Sequence, residues 1–353
     1  MGRSASTSRV RVSAILAVRD PGPDLARSLR DIRGTLGRAD ELIVVDDGSV
    51  DGTAAVLRAA ARRNRRMSVL SVPVSGGVAA ARNLGLTRAR GEVVWFVDWD
   101  DRWDRRIVER LYQGRVDSGA PVVSCGADLQ DSRGRRRELL GTVRRPTLLT
   151  GGEIGVAILD GRLRGYLWNK LFAREVLGDA PFPMRRTRSD FAGSAELMAR
   201  LSTAYLLPDI LFHHVQRPGS LTTVRHPSLA TLRQSLQIGE RVAHLARTHP
   251  DRPASPAAVE AALRQFRYRE WHLAVAGTAM RAPLDPRTRQ DWLRVALEGA
   301  RLRDVVPLLR HDVELAARVA ALTTSGSHYP AVYRSYVAVR SGARRASGRD
   351  RRP

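Results

Sequence analysis

Lysine is almost missing from this 353-residue chain: of 59 basic residues all but one, Lys170, are arginine. Cysteine is just as scarce, and the lone Cys125 excludes an intramolecular disulfide. It lies in the apolar run from Pro121 to Gly126 and reads as a buried thiol. Aromatic residues make up only 5%. No apolar run approaches the ~20 residues of a spanning helix, and none follows the N-terminal arginines as a secretory leader requires. Carboxylates are outnumbered, 36 against 59, for a net charge of +23. That excess implies affinity for polyanions. An anionic membrane leaflet is the first candidate partner, and a phosphate-rich polymer the second. Nucleic acid is not expected, because no recognised binding motif accompanies the charge. The expected location is cytoplasmic, peripheral at the inner face of the plasma membrane.

What is present begins with Val93-Val94-Trp95-Phe96-Val97-Asp98-Trp99-Asp100-Asp101, an apolar run that ends in three carboxylates. Such a run predicts a buried strand opening into a site, since carboxylates this close repel unless a cation or hydrogen bonds offset them. Hard oxygen donors suit Mn²⁺ or Mg²⁺. Three similar units precede it. Val12 to Val18, Glu41 to Val45 and Met67 to Val72 are strand candidates, each followed by a turn and a helical pattern. The series predicts an α/β fold with a mostly parallel sheet and flanking helices. Ligands of such sheets bind beyond the carboxyl ends of the strands, so Asp47, Asp98 and Asp100 are expected on one rim.

Four segments carry a resemblance. Val12-Ser13-Ala14-Ile15-Leu16-Ala17-Val18, Ile43-Val44-Val45-Asp46-Asp47-Gly48-Ser49, Gly76-Gly77-Val78-Ala79-Ala80-Ala81-Arg82-Asn83 and Phe96-Val97-Asp98-Trp99-Asp100-Asp101 resemble, in order and spacing, the family 2 glycosyltransferases of the GT-A, Rossmann-like fold. Weaker matches continue through Trp168-Asn169-Lys170, Pro181-Phe182-Pro183, Ser189-Asp190 and Phe212-His213-His214 to Pro218-Gly219-Ser220-Leu221-Thr222.

The resemblance implies a nucleotide-sugar donor, UDP-linked, and a glycan or lipid-linked acceptor of the cell envelope. By position, Asp47 is similar to the residue pairing with the uracil edge, and Arg82 to the basic residue facing the diphosphate, where a guanidinium forks onto two oxygens. Asp98 resembles the carboxylate near ribose and metal, and Asp100 the direct metal ligand. Asp101 is expected to cap the next helix. Ala17 and Arg19 stand at base-facing positions but depart from the family's usual residues, as do Asp20 and Ser75. Asp190 is the candidate base for the acceptor hydroxyl, with Glu196 in reserve. Ser189 departs from the Glu usual there. His213 is a candidate for the metal shell. Trp168 and Asn169 are candidates for the sugar or acceptor wall.

Domain expectations follow from composition. Residues 1–10 and 341–353 are small, polar and basic, and read as disordered tails. The GT-A domain is expected over 11–223. From 224 to 340 an all-α domain is expected, with helices over 229–247, 256–280, 286–301 and 303–322. The enzyme so implied is an inverting, metal-dependent glycosyltransferase of the hexosyltransferase class. Its rival is a non-catalytic polyanion- or membrane-binding adaptor with a degenerate sugar-nucleotide fold.

Overall fold

The computed structural model describes residues 10–183, 189–216 and 226–347. Two compact units divide the chain: Met1–Thr223 with Glu240–Val259, and Val224–Gly239 with Glu260–Pro353.

The first unit is built on one ten-stranded sheet. Val12–Val18 (β1), Glu41–Asp47 (β2), Met67–Val72 (β3) and Val93–Val97 (β4) form its parallel half, in the order β3-β2-β1-β4. In β2 and β4 every residue is buried, which is why Leu42 to Val45 and Val93 to Val97 read as unbroken apolar runs and not as alternating ones. Helices Leu25–Thr35 (α1), Thr53–Arg62 (α2) and Val78–Leu86 (α3) follow β1, β2 and β3. After β4 come a two-residue strand, Arg102–Trp103 (β5), and helix Ile107–Ser118 (α4). Helix α3 lies hard against the sheet: a Cβ on Gly85 would stand 2.6 Å from Ile15 Cγ2. That close approach fixes the helix that carries Arg82.

The other half is mixed. Strands Val122–Gln130 (β6), Arg136–Leu140 (β7) and Thr147–Thr150 (β8) precede helix Gly152–Asp160 (α5). Strand Lys170–Ala173 (β9), helix Arg174–Leu177 (α6), helix Ser189–Met198 (α7) and strand Thr203–Val215 (β10) complete the set. Strand β9 runs antiparallel between β4 and β6, while β10 is parallel to β6 and antiparallel to β5 and β8.

Residues 240–259 belong to this unit, beyond the boundary at 223 that the sequence suggests. Gly152 explains the attachment: its N–H donates to Arg252 O at 2.8 Å, and a Cβ there would stand 2.3 Å from Ala246 O.

The second unit is helical around Leu232, Leu273, Val275, Leu308, Leu315 and Val319. Its helices are drawn from Leu229–Arg247 (α8), Pro256–Arg267 (α9), Leu273–Arg281 (α10), Pro286–Leu297 (α11), Val305–Leu309 (α12), Val313–Ser325 (α13) and Tyr329–Ser347 (α14). The expected 256–280 helix is interrupted by a π turn, Tyr268–His272. The expected 303–322 helix breaks before Asp312, whose carboxylate caps the Leu315 N–H at 2.9 Å. Helix α14 was not foreseen, and it carries helical structure to Ser347 where a tail was expected from 341. Residues 1–9, 348–353 and the motif at 218–222 lie outside the described residues. Among the described residues no helix is long and apolar enough to cross a membrane.

Candidate functional site

The carboxyl ends of β1, β2 and β4 form a rim, and the loops after β1 and β2 are latched together. Asp20 after β1 adopts a left-handed φ of 45°. Its Oδ1 accepts from Val50 N at 2.8 Å, and its own N–H donates to Ser49 Oγ at 3.0 Å. Asp51 Oδ2 accepts in return from Gly22 N at 3.2 Å. Asp51 Oδ1 takes the Thr53 N–H at the start of α2, so that helix end has its own acceptor without Asp47. Ala17 is half-buried at the end of β1, and Arg19 is exposed, with Nε 3.8 Å from Asp20 Oδ2.

Asp47 is buried at the end of β2, and both its oxygens are engaged. Oδ2 accepts from Ser75 Oγ at 2.6 Å and Gly77 N at 3.0 Å, and Oδ1 accepts from Gly76 N at 2.9 Å. The carboxylate therefore holds the loop that enters α3. Gly48 is needed beside it: φ is +70°, and a Cβ would stand 2.8 Å from Ser75 N.

Arg82, one turn into α3, is the centre of the arrangement. Its side chain is only 4% exposed, Nη2 donates to Asp98 Oδ1 at 2.7 Å, and Nη1 pairs with Asp190 Oδ1. Burial works against the charge, but the fields and hydrogen bonds of Asp98 and Asp190 outweigh it, and the guanidinium pKa is raised. Asp98, just after β4, and Asp190 from α7, 92 residues apart in sequence, are thus gathered on one cation. Arg82 was expected to face a diphosphate; the structure uses two of its nitrogens to bridge carboxylates. Glu196, the reserve base, is tied to Arg241 at 2.6 Å.

Four expectations need correction. Asp101 does not cap a helix: it is buried, accepts from Val215 N at 3.0 Å and faces His214 Nδ1 at 3.0 Å. Burial raises its pKa, against the opposing pull of His214. Asp104 performs the turn role instead, taking the Arg106 N–H at 2.8 Å, and Arg106 holds its pKa down to about 2. His213 is paired with Asp128 at 2.8 Å, and the imidazole that shares the surroundings of Asp98, Asp100 and Asp101 is His214. Successive residues of a strand point to opposite faces, so one step along β10 exchanges the two rings. Burial opposes charging His214, yet the bond to Asp101 and the fields of Asp101, Asp98 and Asp100 leave its pKa raised. Trp168 is core: it is 5% exposed and stacks on Phe212 at 4.1 Å and on Tyr166 at 4.6 Å. Asn169 is 1% exposed, with Nδ2 donating to Cys125 O at 2.6 Å and Oδ1 accepting from Lys170 Nζ at 2.8 Å. Both side chains are committed to the core of the first unit. The sequence marker for His214 was available, in the period of two along an apolar strand, but both histidines have an acidic partner and only the register separates them.

Asp98 and Asp100 are half-buried at the end of β4. Among the described residues no group of three His, Cys, Asp or Glu is placed to hold a metal. Two carboxylates nevertheless fit a hard divalent cation of the kind that completes its shell with water and phosphate oxygens.

Comparison with known proteins agrees with this architecture. Residues 13–168 match the model of glycosyl transferase family 2. TuaG of Bacillus subtilis, a glycosyltransferase named for teichuronic acid biosynthesis, is 30% identical over 171 residues, 48% of this chain and 65% of TuaG. GlyG, a glycosyltransferase of Streptococcus pneumoniae, is 32% identical over 112 residues, 32% of this chain and 37% of GlyG. The chain thus spans less than two thirds of the length of these relatives. Among solved structures, S. aureus TarS 1–349 in complex with UDP-GlcNAc superimposes with a TM-score of 0.58 at 16% identity, over 89% of this chain and 91% of that one. The GT-A fold is therefore shared, and residues 13–168 are similar to glycosyl transferase family 2.

Proposed function

We propose that this protein transfers a sugar from a UDP-linked donor to a glycan, polymer or lipid-linked acceptor of the cell envelope, with inversion at the anomeric carbon. The observation that carries it is Arg82, which brings the donor-side Asp98 and the acceptor-side Asp190 onto one guanidinium. The family match and the UDP-GlcNAc complex of TarS support the donor class, and the name of TuaG supports an envelope polymer as acceptor.

In this scheme Asp190 accepts the acceptor's hydroxyl proton as that oxygen bonds to the anomeric carbon. The bond from that carbon to the diphosphate oxygen breaks, and its electron pair leaves with UDP. Asp98 and Asp100 would hold Mn²⁺ or Mg²⁺, whose contribution is to offset the charge of the departing diphosphate. Arg82 holds Asp98 and Asp190 in register. Ala17 and Arg19 border the base, and Asp47 shapes the pocket floor through the Ser75 to Gly77 loop. Docking at an anionic membrane surface belongs to the same proposal.

Calorimetry tests the donor half: UDP binds more tightly with Mn²⁺ than with EDTA, and Asp100→Asn removes most of the difference. Equal affinity with and without metal would refute the metal assignment. Asp190→Asn tests the chemistry, retaining UDP-GlcNAc binding while UDP release falls by about 10²- to 10⁴-fold. A wild-type protein that binds UDP but releases none from any UDP-sugar is the adaptor instead.

A further inference from the structure

The helical unit leaves four large aliphatic side chains in water within twelve residues: Leu302 is 55% exposed, Val306 63%, Leu309 47% and Val313 67%. Scattered exposed aliphatics are ordinary, but a cluster on a monomeric surface marks an interaction site. The same segment is anchored from beneath, because Leu308 and Leu315 are buried in the unit's core and Val305 packs against it.

Its charges are sorted. Arg301, Arg303 and Arg310 are exposed, and their guanidinium groups have no ion-pair partner among the described residues. The carboxylates are occupied within the unit: Asp304 accepts from Tyr268 Oη at 2.8 Å, Asp312 caps α13, and Glu314 accepts from Tyr336 Oη at 3.1 Å. The outcome is a row of exposed aliphatics interleaved with three arginines that have no ion-pair partner among the described residues, in a chain whose net charge is +23. A second copy of this chain is a poor occupant, since a two-fold contact would set these arginines against their own images. A nucleic acid offers nothing to the aliphatic row. An anionic bilayer meets both demands, with acyl chains for the aliphatics and phosphates for the arginines.

We propose that the ridge from Arg301 to Val313 docks this protein on an anionic membrane, with Leu302, Val306, Leu309 and Val313 entering the interface and Arg301, Arg303 and Arg310 at headgroup phosphates. This deepens the membrane part of the proposed function by naming the surface that performs it.

The test is co-sedimentation of the full chain with vesicles of equimolar phosphatidylglycerol and phosphatidylcholine, beside vesicles of phosphatidylcholine alone. Wild-type protein binds the anionic vesicles, and less at physiological than at low salt. Arg301→Gln/Arg303→Gln/Arg310→Gln weakens that binding by about fivefold per arginine and flattens the salt dependence. Leu302→Ser/Val306→Ser/Leu309→Ser weakens it roughly tenfold or more at every salt concentration. Because all six side chains are exposed, both variants keep the wild-type melting temperature and bind UDP with Mn²⁺ as the wild type does. Vesicle binding unchanged in both, or lost only on truncation after residue 340, overturns the proposal. So does a wild-type dimer in solution that the serine variant dissociates while vesicle binding persists. Intact vesicle binding with no UDP binding leaves the docking surface standing and removes the donor assignment instead.

Discussion

Arg82 Nη2 lies 2.7 Å from Asp98 Oδ1, joining the first turns of α3 to the end of β4 from a nearly buried position. The second fork goes to Asp190 on α7. A planar guanidinium with fixed donors can serve two carboxylates at once, whereas an ammonium offers one point charge. The pairing makes the end of β4 and the start of α7 mutually dependent.

Arg82→Ala is therefore expected to cost stability as well as function. Breaking a buried ion pair from one side costs about 3–5 kcal/mol, and the low end applies because Asp98 and Asp190 are partly exposed. Adding Asp190→Asn should recover part of that loss by removing one of the two facing negative charges. Urea unfolding of the single and double variants checks this. A double variant less stable than Arg82→Ala alone would show that the carboxylates do not repel across the gap.

Asp47 gives a second prediction, because its carboxylate accepts three hydrogen bonds from Ser75, Gly76 and Gly77. In Asp47→Ala the loop donors lose their acceptor, and because Ser75 is half-buried and Gly76 and Gly77 are exposed, water replaces part of it, at about 0.5–1.5 kcal/mol for each hydrogen bond lost. The melting temperature should fall by about 2–4 °C per kcal/mol, with UDP affinity falling alongside as the loop into α3 relaxes. Thermal shift and calorimetry on one preparation separate the alternatives. Lost affinity at an unchanged melting temperature would assign Asp47 to the base edge alone.

The parallel half of the sheet was legible because β1, β2 and β4 are apolar on both faces and end in polar turns. The mixed half was not. Strand β9 is four residues long and begins with a lysine, and nothing local announces that it is inserted antiparallel between β4 and β6. Asp98, Asp100, Arg82 and Asp190 stood out through motif context, and the structure gathers Arg82, Asp98 and Asp190. The errors at Asp101, His213, Trp168 and Asn169 share one cause. Each side chain is assigned by a partner far away in sequence: His214, Asp128, Phe212 and Cys125 respectively. Spacing cannot supply that register.

Lys170 supports the last prediction, and being the only lysine makes it directly observable. Its Nζ is fully buried and donates to Tyr166 O and Asn169 Oδ1, both at 2.8 Å. Burial lowers its pKa to about 7 from the ordinary 10.5. Between those two values the unfolded chain holds a proton that the native chain has released, so stability rises with pH across that window. Below about 7 the native ammonium is charged too, and the penalty of burying it is fully present. Lys170→Met removes this contribution while leaving Asn169 Oδ1 without its lysine donor. The variant should be less stable than wild type at pH values near 10, with the gap narrowing towards pH 6. Urea unfolding across that range measures the gap. Lysine labelled with ¹³C at the ε carbon gives one resonance that should titrate near neutrality in the folded protein. A resonance titrating at the ordinary lysine value, with a stability gap independent of pH, would show that Lys170 stays charged in the core.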